Sequence, residues 1–261
     1  MKTDDIYVRY TESLKRLESD PQIFTNFKSD TYFNEILEHV DYEYGKKYLE
    51  QIKSEFKETP KKFLPIITLN DSIGNPVKYE FDGITMSPSN LRYIYHALLI
   101  KSKCATWFPN KKTIKILEIG GGYGGLCLYI KKIFTEVDVD YTIIDLPEPS
   151  ALQNKFLQTT EQSNAKSVSC FTIDELATSQ TFDLVIPNYC VSELSRQNQE
   201  EYFSKLINKC DKKFFIWNYL TRKKKFFFFK TLDIDFINKE EYVFEKERPF
   251  LPGDNQFIYS K

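Results

Sequence analysis

Lys115-Ile116-Leu117-Glu118-Ile119-Gly120-Gly121-Gly122-Tyr123-Gly124-Gly125-Leu126 is the stretch on which the fold turns. An apolar run of strand character leads into a turn with five glycines in six positions, and a helical pattern follows. Glycine accepts positive φ and lets a ligand approach the backbone, and five of them exceed what a tight turn requires. The helix that follows offers unpaired amides and the positive end of its dipole. In an open parallel sheet, ligands bind at that edge, where the strand order reverses. Gly120, Gly122 and Gly125 also satisfy G-x-G-x-x-G, so a dinucleotide stays open on the glycines alone.

Outward from this loop the chain alternates. Strands are expected at 115–119, 141–144, 167–171, 182–186 and 214–217, with helices at 124–134, 150–162 and 199–210. Segments 241–245 and 256–259, separated by Pro249, Pro252 and Gly253, read as a terminal hairpin that lays an antiparallel strand in the sheet. The expected class is α/β, a Rossmann-like, mostly parallel sheet with helices on both faces. Residues 111–261 form that domain, and the closing hairpin leaves no separate substrate domain after it. Residues 1–110 read as a mainly helical cap with a short hairpin, whose strands are placed at Phe63–Leu69 and Val77–Phe81. Ser87-Pro88 starts a further helix.

The 36 basic and 37 acidic residues leave a net charge of −1, which argues against a dedicated nucleic-acid surface. Arg222-Lys223-Lys224-Lys225 followed by Phe226–Phe229 is read as a solvated loop entering a buried segment. The start carries acids early and lacks the apolar core of a signal peptide, and no stretch is suited to a membrane span. Five scattered cysteines read as reduced thiols of a cytoplasmic protein, and two distant histidines argue against a histidine metal site. No metal is expected.

Two carboxylates sharpen the reading of the loop. Glu118 directly precedes the turn, where it can accept from loop amides or from a cationic amino group of a ligand. Asp145, twenty-five residues after Gly120, ends the second strand, where a carboxylate can bond both hydroxyls of a ribose. Together with the closing hairpin they favour S-adenosylmethionine over a nicotinamide dinucleotide. The segments Glu118–Gly125, Tyr141–Glu148 and Phe182–Leu194 resemble successive motifs of class I S-adenosylmethionine-dependent methyltransferases, and in particular the sugar O-methyltransferase family. The resemblance covers about residues 75 to 261. It implies a seven-stranded sheet with an antiparallel last strand, and places Gly74-Asn75-Pro76 and Ser89–Tyr93 in an element leading into the cofactor domain.

The expected cofactor contacts are Glu118, Gly120, Gly121, Gly122, Tyr123, Gly124, Asp145, Leu146, Asn188, Tyr189 and Arg92, the last of these to the cofactor's carboxylate. Asn188 and Tyr189 can equally contact the acceptor. Methyl transfer to a hydroxyl needs the attacking oxygen in line with the sulfonium and a base for its proton. Glu193 is the expected base, beside the alternative that it stabilises the next helix or pairs with Arg196. His96 is a rival base, beside the alternative of a packed core histidine. Asp174 or Glu175 is placed near the adenine amino group. The acceptor implied by the resemblance is a sugar hydroxyl on a nucleotide sugar or glycan. The cap is expected to shape the acceptor pocket or a homodimer interface. Competing functions are a nicotinamide-dependent oxidoreductase and a catalytically inactive cofactor-binding interaction protein.

Overall fold

The computed structural model describes residues 3–17, 19–36, 40–217, 238–249 and 255–261. The basic and aromatic run at 222–229 lies outside these residues, as do Pro252 and Gly253 of the expected terminal turn. The chain forms two units, one of Met1–Thr106, Gly122–Thr135 and Glu148–Ser163, the other of Trp107–Gly121, Glu136–Pro147 and Asn164–Lys261.

The first unit is helical. It contains α1 (Thr3–Lys15), α2 (Pro21–Asn26), α3 (Thr31–Ile36), α4 (Tyr42–Gln51), α5 (Leu64–Asp71), α6 (Pro88–Trp107), α7 (Gly125–Ile133) and α8 (Pro147–Thr159), with a hairpin of β1 (Tyr79–Phe81) and β2 (Ile84–Met86). Asp20 and Asp41 cap α2 and α4 through side-chain bonds to Gln22 N and Tyr44 N. The expected strand at Phe63–Leu69 is instead the end of a 3-10 turn running into α5. The apolar run there is short and carries Pro65 in the first helical turn. Phe63, Ile67, Asn70 and Asp71 are the buried positions, a spacing of three to four and not of two. The hairpin turns at Asp82-Gly83, both at positive φ, so its strands fall later than expected.

A buried polar network holds this unit. Asp71 accepts from the Ser87 backbone N–H at 2.7 Å, the Ser87 hydroxyl at 2.6 Å and the Asn90 amide at 2.9 Å. The Asn90 Oδ1 accepts from Asn70 at 2.9 Å and from the Tyr129 hydroxyl at 2.5 Å. Lys28, 1% exposed, donates to the Asn70 carbonyl and side chain and lies 4.3 Å from the centre of the Tyr123 ring. The upstream element picked out by resemblance therefore sits in this network through Ser89–Tyr93, with Asn90 at its centre.

The second unit is a seven-stranded sheet of β3 (Thr113–Ile119), β4 (Asp138–Asp145), β5 (Ala165–Ser169), β6 (Leu184–Pro187), β7 (Lys212–Trp217), β8 (Tyr242–Lys246) and β9 (Gln256–Ser260). The order is β5-β4-β3-β6-β7-β9-β8. Neighbours from β5 through to β7 run parallel, and β9 is antiparallel to both β7 and β8. This is the mostly parallel, Rossmann-like sheet with an antiparallel C-terminal strand that the sequence led us to expect. Strand order reverses at β3, between β4 on one side and β6 on the other. α9 (Ile173–Ser179) and α10 (Arg196–Lys205) supply Ile173, Leu176 and Phe203 to a core on one face with Leu117, Ile144, Val185, Phe215 and Ile258. β5 ends two residues before the expected strand, which leaves Phe171 outside it and 82% exposed.

Removing Asn90 should test the polar network. Asn90→Ala strips partners from the Tyr129 hydroxyl, the Asn70 amide and Asp71, at about 1–3 kcal/mol for each buried group left unsatisfied. Urea unfolding should show a loss of about 3 kcal/mol or more. A loss near that of an exposed asparagine would mean that the network is dispensable.

Candidate functional site

The carboxyl edge of the sheet at β3, β4 and β6 gathers most of the chemistry. Glu118, next to last in β3, is completely buried. Its Oε1 accepts from the Asn188 amide at 2.9 Å and its Oε2 from the Tyr141 hydroxyl at 3.0 Å. Burial pushes its pKa up to about 7, the two hydrogen bonds pull it down, and the charge of Asp145 adds to the rise. Its partners come from the middle of β4 and from the segment after β6, so this one carboxylate ties β3 to both of its neighbours.

Gly120 follows at φ +75°, and a Cβ there would lie 2.5 Å from both Cβ and Sγ of Cys190. The turn has no room for a side chain. The Gly121 N–H donates to Asp145 Oδ2 at 3.1 Å, and the Leu146 N–H donates to Asp145 Oδ1 at 2.8 Å. Asp145 is thus oriented by two amides and half-buried. Leu146 is 41% exposed. β4 and β5 end level, Asp145 opposite Ser169, so Leu146 and Phe171 present apolar surface beyond two neighbouring strand ends.

After β6, the Asn188 N–H bonds the Ile119 carbonyl at 3.1 Å and the Cys190 thiol donates to the same carbonyl at 2.8 Å. Burial raises the Cys190 pKa well above its ordinary value, helped by the negative charges of Asp145, Glu193 and Glu118. The thiol is thereby kept protonated against the Ile119 carbonyl. Glu193 ends the 3-10 turn Cys190–Glu193 and is half-buried. α10 takes its cap from Ser195, which accepts from Asn198 N, and Arg196 Nε bonds Glu200 at 3.0 Å. Tyr202 of α10 feels Cys190, Cys170 and Asp145; burial first, and then these groups, raise the pKa of its phenol.

The remaining expected residues lie in the helical unit. Gly122 and Gly124 have φ of 59° and 96°, and the Gly122 carbonyl accepts from Gln153 at 2.8 Å. The Tyr123 ring is fully buried and its hydroxyl bonds Asn70 at 3.1 Å, which leaves its backbone alone for a ligand. Arg92 is buried, not a surface cation, with its guanidinium over the Tyr93 ring. His96 fits the packed alternative and not that of a base. It is 2% exposed and lies against Tyr48 and Tyr95. Burial, then the charge of Arg92, lowers its pKa to about 3. Asp174, one of the two acids expected near the adenine amino group, bonds Lys205 at 2.7 Å. Phe171, missed in the sequence, is exposed because β5 stops at Ser169. Tyr202 was legible only as an inward helix position.

Among the described residues, no group of three or more His, Cys, Asp or Glu side chains could hold a metal ion, and no helix is long and apolar enough to cross a membrane. No known family profile and no curated protein matches the chain. Solved structures do. One is a protein of Galdieria sulphuraria assigned to sarcosine dimethylglycine methylation, at TM-score 0.41 and 12% identity over 49% of this chain and 47% of that one. An O-methyltransferase family protein of Burkholderia thailandensis gives TM-score 0.42 and 11% identity over 67% and 58%. An rRNA methylase of Streptococcus thermophilus gives 0.45 and 7% over 62% and 94%. The chain thus spans about half the length of the first two. At these values the geometry of the site, and not the likeness, carries the functional reading.

Glu118 makes stability depend on pH. With the carboxyl near 7 folded and about 4.5 unfolded, the folded state holds the proton more tightly. Its contribution is complete below about pH 4.5 and is lost as pH rises toward 7, on the order of 3 kcal/mol in all. The difference in unfolding free energy between wild type and Glu118→Gln should therefore fall across that window. A flat difference would place the carboxyl in water.

Proposed function

We propose that the chain is an S-adenosylmethionine-dependent methyltransferase acting on a hydroxyl group, with a nucleotide sugar or glycan as the acceptor class. The observation that carries this is the buried Glu118 beside the amide-held Asp145 at the glycine turn where strand order reverses, with Glu193 three residues beyond the Cys190 side chain that fills the space at Gly120. Negative potential there repels the pyrophosphate of a dinucleotide and attracts a ligand that bears an ammonium and a sulfonium. The sugar acceptor rests on the sequence resemblance.

The residues present fit such a cofactor. Gly120 and Gly121 keep the turn bare, the oriented Asp145 suits paired ribose hydroxyls, and Leu146 and Phe171 offer apolar faces to an adenine. Glu118 supplies a buried carboxyl that burial brings close to neutrality, and a cationic amino group beside it would favour its ionised form. When bound, S-adenosylmethionine supplies a methyl group made electrophilic by a positive sulfur. Glu193 is the base we assign to the acceptor's hydroxyl. A carboxylate within hydrogen-bond reach takes the proton as the oxygen forms its bond to carbon, an effect typically worth ~10²- to ~10⁴-fold.

S-adenosylhomocysteine should raise the melting temperature and NAD should not, because only a ligand of the folded state stabilises it. Asp145→Ala should weaken S-adenosylhomocysteine binding by about 1.5–3 kcal/mol in calorimetry. Stabilisation by NAD alone would sink the methyltransferase reading.

Glu193→Gln separates binding from chemistry. Methyl transfer to the acceptor should drop by ~10² to ~10⁴, with S-adenosylhomocysteine affinity and melting temperature nearly unchanged. A supporting role at α10 predicts the reverse, lower stability by about 0.3–1 kcal/mol with turnover intact.

A further inference from the structure

Tyr189 is held in a backbone conformation that residues other than glycine rarely adopt, with φ 61° and ψ −34°. Its N–H donates to the Ile216 carbonyl at 2.8 Å, and the Cys190 N–H closes a γ-turn around it onto the Asn188 carbonyl at 2.8 Å. The Ser192 hydroxyl donates to its carbonyl. Its own hydroxyl donates to the carboxylate of Glu247, which is 1% exposed. Strain of this kind persists only where the surroundings fix it, and it gathers at working sites.

The sheet explains how the pair meets. Trp217 of β7 is level with Gln256 of β9, and Gln256 with Lys246 of β8. Glu247 therefore leaves the sheet at the same edge as Tyr189, where its N–H is anchored on the Asn255 carbonyl at 2.9 Å. Asp145 and Leu146 stand on the β4 side of β3, and the Tyr189–Glu247 pair on the β6 to β8 side. The edge has two halves, and only the first suits a ribose and an adenine.

A phenol has one proton and two lone pairs. Tyr189 gives its proton to a carboxylate, so toward any further group its oxygen can only accept. The carboxylate behind it also polarises the O–H and strengthens the oxygen as an acceptor. We propose that Tyr189, held by Glu247, determines acceptor specificity by taking a hydrogen bond from a second O–H or N–H donor on the molecule to be methylated, beside the group that receives the methyl. The acceptor class is then a polyol or amino alcohol, and molecules with a single hydroxyl are excluded. Glu247 is a positioning residue that acts through Tyr189. A site built around a donor rejects analogues that lack it, because its own buried polar groups are left unpaired. The inference rests on the methyltransferase reading above and narrows it.

The test uses full-length protein labelled with carbon-13 at tyrosine Cζ and saturated with S-adenosylhomocysteine, with Tyr189→Phe to assign the Tyr189 resonance. The probes are methyl α-D-glucopyranoside and its fully O-methylated derivative, which keeps the ring but has no donor. The glucoside should move the Tyr189 resonance saturably and the methylated derivative should not. Glu247→Gln should move that resonance without sugar. It should also weaken glucoside binding about tenfold, since an amide can donate to the phenol and compete for its lone pairs. S-adenosylhomocysteine affinity should hold in both variants. No shift with the glucoside, equal shifts with both sugars, or an unmoved resonance in Glu247→Gln would each overturn the proposal. Failure of wild type to bind S-adenosylhomocysteine would overturn the methyltransferase reading instead.

Discussion

A carboxylate removed from water must find donors or lose its charge, and Glu118 does some of each. Its two oxygens are satisfied by the Tyr141 hydroxyl of β4 and the Asn188 amide after β6. Those donors belong to the two strands that flank β3 at the reversal of strand order. The requirement of one side chain therefore ties the end of β3 to the middle of β4 and to the segment that leaves β6. Asn188 is placed by it, and with Asn188 the Cys190 side chain that fills the space a Cβ at Gly120 would need. Glycine at 120 is in this sense a consequence of where Asn188 and Cys190 are held.

From that anchor the edge divides by charge and by side. Asp145 is tied to the turn after Glu118 by the Gly121 amide, and burial, helped by the negative charges of Asp145, Glu193 and Glu118, keeps the Cys190 thiol protonated. Charges of one sign brought this close are unfavourable unless something cationic comes to them, and a half-exposed edge gives such a ligand access. A bare glycine turn usually suggests phosphate. In the proposed function the carboxylates beside the turn reverse that preference.

The sequence was most legible where the chemistry is local. The strand before Gly120 and the Asp145 terminus of β4 depend on a few adjacent residues, whereas α10, expected at 199–210, begins at Arg196 behind the Ser195 cap and ends at Lys205. Segment 63–69 misled because a short apolar run fits a buried strand and one face of a helix equally, and only the burial of Phe63, Ile67 and Asn70 decides between them. Glu247 carried no signal at all. It sits in the charged run Glu245-Lys246-Glu247-Arg248, and its partner Tyr189 is 58 residues away. Phe171 was hidden for the opposite reason, because an aromatic next to a strand pattern reads as core. His96 stood out as a rival base by residue type alone, whereas it is buried in the helical unit, where burial lowers its pKa to about 3.

The antiparallel strand β9 gives a reason why the second half of the edge exists. A sheet that stopped at β7 would leave Trp217 at an open edge, with nothing beyond it to meet Tyr189. By inserting between β7 and β8, β9 turns β8 parallel to β6 and carries its carboxyl end to the level of Trp217. Only with that polarity does the residue after β8 arrive at the edge where Tyr189 leaves β6. Had β8 paired directly with β7 as an antiparallel hairpin, Glu247 would emerge at the far end of the sheet, a strand length away. The strand order thus decides which carboxylate reaches the strained tyrosine, and a tyrosine outside the left-handed region would point its phenol elsewhere. Topology and strain are both needed to bring the two side chains together.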